Sequence, residues 1–155
     1  MTDTTTITSE VYEAFQRAEL HRWDAVIAAD VLVNSPAGFG LRGLDAFKES
    51  AVGFTDLGWR IDLVDEHLAL DDRGDGRGFI TFALYWKHIK DFGRLAPTGR
   101  EGTSVETMLL TIQQHKVVRI DVADNTVDLP IYLWSRNWPN PHIVRPEVVG
   151  IDRRA

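Results

Sequence analysis

Gly93-Arg-Leu-Ala-Pro-Thr-Gly-Arg100, followed by an alternating segment and then by Val118-Arg-Ile-Asp-Val-Ala-Asp124, decides how this chain is read. Pro-Thr-Gly-Arg has the composition of a turn, and it leads into a hairpin with strands at 104–112 and 117–123. Gln113-Gln-His115 joins those strands tightly. Another strand is expected at 79–89, behind the strong turn signal Asp71-Asp-Arg-Gly-Asp-Gly76. Further upstream, Trp59, Ile61 and Leu63 alternate with Arg60, Asp62 and Val64, the period-two pattern of a half-buried strand.

The N-terminal third reads differently. Ser9 is a suitable N-cap, and Val11, Phe15 and Ala18 recur at helical spacing, which predicts a first helix to about Leu20. A second short helix is expected at 25–29 and a brief strand at 31–34, stopped by Ser35-Pro36. Gly38, Gly40 and Gly43 suggest a loop, and Leu44, Phe47, Ala51 and Phe54 mark a third helix. Three helices followed by four strands, joined mostly as antiparallel neighbours, predict an α+β domain with helices on one face of a curved sheet.

The 155 residues suit one domain with a substantial core. That domain is expected over 1–155, with its core at about 9–129. The extension 130–155 carries Tyr132, Trp134, Trp138 and three prolines between 138 and 146, and is expected to wrap the domain or a partner subunit. Net charge is −6, from 17 basic and 23 acidic residues, which argues against a nucleic-acid partner. The absence of cysteine removes disulfides, thiolate metal sites and cysteine nucleophiles. The polar, Thr-rich N-terminus lacks the features of a secretory signal, and no apolar run is long enough to span a membrane. A cytoplasmic location is expected.

Tyr12-Glu-Ala-Phe15, Gly40-Leu-Arg-Gly-Leu-Asp-Ala-Phe47, the stretch from His88 to Arg100 with Pro97-Thr-Gly-Arg, and Ile120-Asp-Val-Ala-Asp124 together resemble the SnoaL-like polyketide cyclases, within the nuclear transport factor 2-like superfamily. The resemblance covers about Val11 to Leu129. It departs from the family at Trp86-Lys-His-Ile-Lys90, where His88 matches Gly-Thr-His-x-Gly but both glycines are lost. It implies a cone-shaped, mostly antiparallel sheet wrapped around the N-terminal helices, a cystatin-like α+β barrel, with an apolar pocket between them. It also implies a homodimer and chemistry on a hydrophobic carbonyl compound without metal or coenzyme. Relatives of this shape include ketosteroid isomerases, which would make the protein a lyase or an isomerase, as well as limonene-type epoxide hydrolases and binding domains with no catalysis. Shape alone does not fix the reaction.

By the same resemblance, Asp121 falls on the cyclases' catalytic aspartate. A carboxylate desolvated in an apolar pocket has a raised pKa and can both take and return a proton. Strand alternation leaves an alternative, because it groups Asp121 with Arg119 and Ala123, away from Val118, Ile120 and Val122. The cyclases' catalytic histidine has no counterpart, since its place falls at or beside Met108. His88 shares a face with Phe82, Leu84 and Trp86 and is a candidate for the missing imidazole, or else a strand cap. Glu106 shares a face with Met108, Leu110 and Ile112, as a pocket acid or an edge residue. Asn34 is a candidate hydrogen-bonding residue for the substrate, or part of a turn. Arg119 would orient a water beside Asp121 if both faced inward. Tyr12, Phe15, Trp23, Trp59, Phe82 and Trp86 are candidates to line an aromatic pocket, though most such residues are core. No spacing of His, Asp and Glu suggests a metal site.

Overall fold

A computed structural model describes residues 6–35, 38–55, 60–92 and 94–125, together with 129, 132, 135 and 136. Helix α1 spans Ile7–Gln16. Its N-cap is Thr6 rather than Ser9: the Thr6 side chain accepts from the Ser9 backbone, and the Ser9 side chain returns a bond to the Thr6 backbone. Reciprocal bonds of this kind satisfy two donors that a helix start leaves open. The helix stops earlier than its apolar spacing suggested, because Ala18 turns to a positive φ of 56°. A 3₁₀ segment, Leu20–Ala25, follows.

The strands are β1, Ile27–Ser35; β2, Gly38–Arg42; β3, Arg60–Leu70; β4, Gly76–Lys87; β5, Glu101–Gln113; and β6, Lys116–Asp124, with α2 at Leu44–Thr55 between β2 and β3. They form one curved sheet in the order β2-β1-β6-β5-β4-β3. Every pairing is antiparallel except β1 with β6. Two expectations are corrected. The stretch 25–29 is not a helix, since Ile27 opens β1, and the glycine-bearing segment 38–42 is a strand. Parallel pairing of β1 with β6 and antiparallel pairing with β2 supply partners that local sequence does not reveal.

Helix α1 packs on β3 and β4, and α2 packs on β1 and β2, all on one face of the sheet. That inner face carries Val31 and Val33 of β1, Ile80, Phe82, Leu84 and Trp86 of β4, Met108, Leu110 and Ile112 of β5, and Val117 and Ile120 of β6, all buried. Each such side chain contributes about 1.5–3 kcal/mol through removal from water. Trp23 stacks on Phe47 at 4.7 Å and lies 6.2 Å from Phe15, which meets Phe82 edge-on. The Trp23 Nε1–H donates to the Val11 carbonyl at 3.0 Å, so this indole is an internal strut. Beyond β6, Leu129 and Tyr132 are buried against the domain; Trp59, Trp134 and Trp138 lie outside the described residues.

Candidate functional site

The inner face of β4 continues past the strand's end into His88, which is 1% exposed. The Pro97-Thr-Gly-Arg turn holds it there. The His88 amide donates to the Arg100 carbonyl at 2.8 Å, and the Gly99 amide donates to the His88 carbonyl at 2.9 Å. Gly99 makes this clamp with φ of 72°, a conformation that a Cβ would strain. The same turn aims the Thr98 side chain at the Tyr132 hydroxyl, with which it hydrogen-bonds.

Tyr132 in turn hydrogen-bonds His88 Nδ1 at 2.7 Å and stacks on Trp86 at 5.0 Å. Two buried ring nitrogens at this end of the sheet, His88 Nε2 and Trp86 Nε1, have no hydrogen-bond partner among the described residues. A buried polar atom left unpaired costs about 1–3 kcal/mol. Such nitrogens call for an acceptor from solvent, from a ligand or from the residues outside the described ones. Among the described residues the other buried polar side chains are Thr8 and Ser104, neither of which is an acid–base group.

Asp121 is placed differently from the expectation of an inward carboxylate. Its neighbour Ile120 fills the inner face, so Asp121 projects from the outer one, beside the half-exposed Leu109 of β5 and Asn34 of β1. The Arg119 guanidinium grips it through Nε at 2.8 Å and Nη2 at 3.0 Å, and Asn34 donates to it at 2.9 Å. Arg119 and Asn34 together hold the carboxyl below its ordinary value, against a partial opposing effect of burial. A general base working near neutrality needs the opposite shift. The alternative grouping of Asp121 with Arg119 is the one the sheet adopts, and Arg119 is likewise outside.

Asn34 is also an outer-face residue. Its side-chain oxygen accepts from the Gly40 amide at 2.8 Å, which ties the β1–β2 connection to β6. An open groove of about 330 Å³ runs along this face, with His67, Arg77, Phe79, Leu109, Thr111 and Asp121 among its walls.

The remaining candidates divide between core and rim. Phe15, Trp23, Phe82 and Met108 are buried in the core, and Trp86 is buried beside Tyr132. Tyr12 is half-buried with its hydroxyl donated to the Ile61 carbonyl at 3.2 Å. Glu106 is half-buried on the inner-face row of β5, opposite Phe82 and Asp124. Tyr132 and Thr98 were not anticipated as site residues. Thr98 lay within the quoted turn, whereas no periodicity links Tyr132 to His88, 44 positions away. Among the described residues no group of three or more His, Asp or Glu is arranged to hold a metal ion.

No protein-family model matches the chain, and comparison with curated proteins gives no match. Solved structures do match over most of its length. A protein from Jannaschia sp. CCS1, provisionally named a SnoaL-like polyketide cyclase, aligns with a TM-score of 0.67 over 88% of this chain and 94% of its own, at 9% identity. This is the SnoaL-like fold. IdmH from Streptomyces antibioticus, provisionally named a polyketide cyclase, aligns at 0.64 over 83% of this chain and 96% of its own, at 17% identity. AclR from Streptomyces galilaeus, provisionally named a hydroxylase, aligns at 0.63 over 83% of this chain and 82% of its own, also at 17% identity. The SnoaL-like fold thus carries more than one named activity, and the chemistry has to be argued from the site.

Proposed function

We propose that this chain is a one-domain member of the SnoaL-like family that binds a hydrophobic carbonyl compound in a pocket against the inner face of its sheet. In this reading His88, rather than Asp121, is the group that meets the substrate oxygen. The observation that carries it is the burial of His88 with Nδ1 engaged and Nε2 unpartnered among the described residues. The reaction is ring closure or isomerisation by acid–base chemistry. A proton passes from a carbon next to the carbonyl to water, and the developing oxygen anion is stabilised by a hydrogen-bond donor at a buried position. His88 supplies that donor. Glu106 lies opposite Phe82, six residues along the sheet from His88 and so about 20 Å away, too far to act on the same carbon. Trp86, two residues before His88 on the same face, provides the apolar surface that holds the substrate's rings.

Epoxide hydrolysis loses its basis, because it required Arg119 and Asp121 to face inward. A non-catalytic ligand-binding or dimerisation domain remains the second reading, favoured by the same outward placement of Asp121. We also place the protein in the cytoplasm as a homodimer. Among the described residues no helix is long and apolar enough to cross a membrane. Leu109 at 51% exposed, together with Leu63 and Tyr85, gives the sheet apolar surface that a partner would cover. Light scattering at micromolar concentration tests the dimer, and a monomeric mass contradicts it.

The catalytic reading is tested by deuterium exchange into the carbon acid of benzoylacetone, an aryl diketone, followed by NMR. The wild-type protein is expected to accelerate exchange, His88→Gln to lose about 10²-fold of that acceleration or more, and Glu106→Gln to leave it unchanged. Binding of the diketone without any accelerated exchange leaves the binding-domain reading in its place.

A further inference from the structure

Across the outer face of the sheet, adjacent strands place His67 of β3, Phe79 of β4, Leu109 of β5 and Asp121 of β6 side by side in one row. The His67 ring stacks on Phe79 at 5.8 Å, and all four side chains line the groove of about 330 Å³ on this face. Imidazole, apolar, apolar, carboxylate is an order of chemistries complementary to its own reverse. Turned about a two-fold axis running along the strands between β4 and β5, the row meets a second copy with His67 on Asp121 and Phe79 on Leu109. Each contact is then made twice. The next row obeys the same rule, since Thr81 of β4 and Thr107 of β5, hydrogen-bonded at 2.9 Å within the chain, exchange places.

We infer, resting on the homodimer reading above, that a second copy of this chain is seated on this face about that axis. A contact of this kind uses the same patch on both copies and closes on itself. Other axes on the face fit less well. Moved onto β5, the axis sets Asp121 against Phe79, and moved onto β4 it sets His67 against Leu109. Turned across the strands through the threonine row, it brings Asp65, exposed and paired with Thr81, against Asp65 of the partner subunit. Sheets packed face to face lie about 10 Å apart, a gap that Phe79 and the half-exposed Leu109 fill from both sides. A carboxylate has about four acceptor positions. Within the chain Asp121 uses three of them, two for Arg119 and one for Asn34, which leaves room for an imidazole N–H. From β3 to β6 the face is about 20 Å wide and 30 Å long, of the same order as the roughly 800 Å² that each partner gives to a stable interface.

The test uses the full-length chain, which has no cysteine of its own. His67→Cys and Asp121→Cys proteins are prepared separately, mixed, allowed to exchange subunits and treated with a short bismaleimide at micromolar concentration. The mixture is expected to yield a covalent dimer, because the two thiols face each other across a gap of about 10 Å. Either variant alone is expected to yield none, its two thiols being displaced sideways by three strand spacings, about 14 Å. Leu109→Glu is expected to halve the mass in light scattering, and Val52→Glu, at an exposed position of α2, to keep the wild-type mass. The cysteine pair decides the matter if Leu109→Glu does not fold. A dimeric wild-type protein whose mixture fails to cross-link, or which a folded Leu109→Glu leaves dimeric, overturns this interface and leaves the homodimer reading standing. Cross-linking by one variant alone overturns the axis. A monomeric wild-type mass ends the homodimer reading itself, and the inference with it.

Discussion

Replacing Gly102 with alanine puts one methyl group against the ring of Trp86. A Cβ built on Gly102 would lie 2.6 Å from Trp86 Cζ2 and 2.8 Å from Cε2. Carbon atoms in ordinary contact sit about 3.5–4.0 Å apart, so the indole must retreat by about 1 Å. Across the ladder Trp86 is paired with Gly102, and its ring is stacked on Tyr132 at 5.0 Å, so the retreat disturbs that stack. Overpacking of this kind costs about 1–3 kcal/mol. In urea, with a slope of about 2 kcal/mol per molar, the unfolding midpoint should fall by about 1 M. The near-ultraviolet circular dichroism of the coupled Trp86–Tyr132 pair should change with it. Gly53→Ala is the matched control. Its Cβ would lie 3.4 Å from Phe92 Cε2, an ordinary contact inside α2. There the gain in helix propensity should leave stability unchanged or raise it by up to about 1 kcal/mol. A neutral Gly102→Ala, or equal shifts from both variants, refutes the packing assigned to Trp86.

Other consequences can be measured separately. Asp121 ionises more readily folded than its ordinary value of 3.8, because Arg119 and Asn34 favour the charged form. The stability this confers is present above that value and is lost as pH falls through the lower folded value. Asp121→Asn should therefore be less stable than wild type at neutral pH, with the gap closing in acid melts below about pH 4; a gap independent of pH contradicts the pairing. Glu10 is likewise held low by Arg22, whose Nε and Nη2 meet its carboxylate at 2.6 and 2.7 Å. Glu10→Gln should flatten the acid limb of stability in the same direction, which acid-titrated thermal melts read. Trp23→Ala removes a fully buried indole stacked on Phe47 and should cost about 3–5 kcal/mol by urea denaturation.

The four strands from β3 to β6 were legible because they are bounded by strong turns and, in β4 to β6, alternate apolar and polar side chains, whereas in β3 Ile61 is buried and Leu63 is exposed. The turn at Gln114 and His115, both with positive φ, and the Asp71–Gly76 connection are where composition placed them. β1 and β2 were largely hidden. Ala25 to Ala29 has the composition of a helix, and three glycines imitate a loop, so only pairing across the sheet makes these segments strands. His88 could be assigned to the face of Phe82 and Trp86 by counting twos along β4. Asp121 shows the same rule outweighing a resemblance: alternation from Arg119 to Ala123 already grouped it with Arg119, and Ile120 takes the inner position. Tyr132 had no local signal, because a hydrogen bond across 44 residues has no sequence period.

The most direct test of where the chemistry lies is benzoylacetone titrated into wild-type, His88→Gln and Asp121→Asn proteins, with binding followed by the ligand's enol absorbance. Loss of a hydrogen bond from His88 to the ligand oxygen should weaken binding about tenfold. Asp121→Asn should bind like wild type. Weakened binding by Asp121→Asn with His88→Gln unaffected would place the ligand on the opposite face of the sheet and contradict the account.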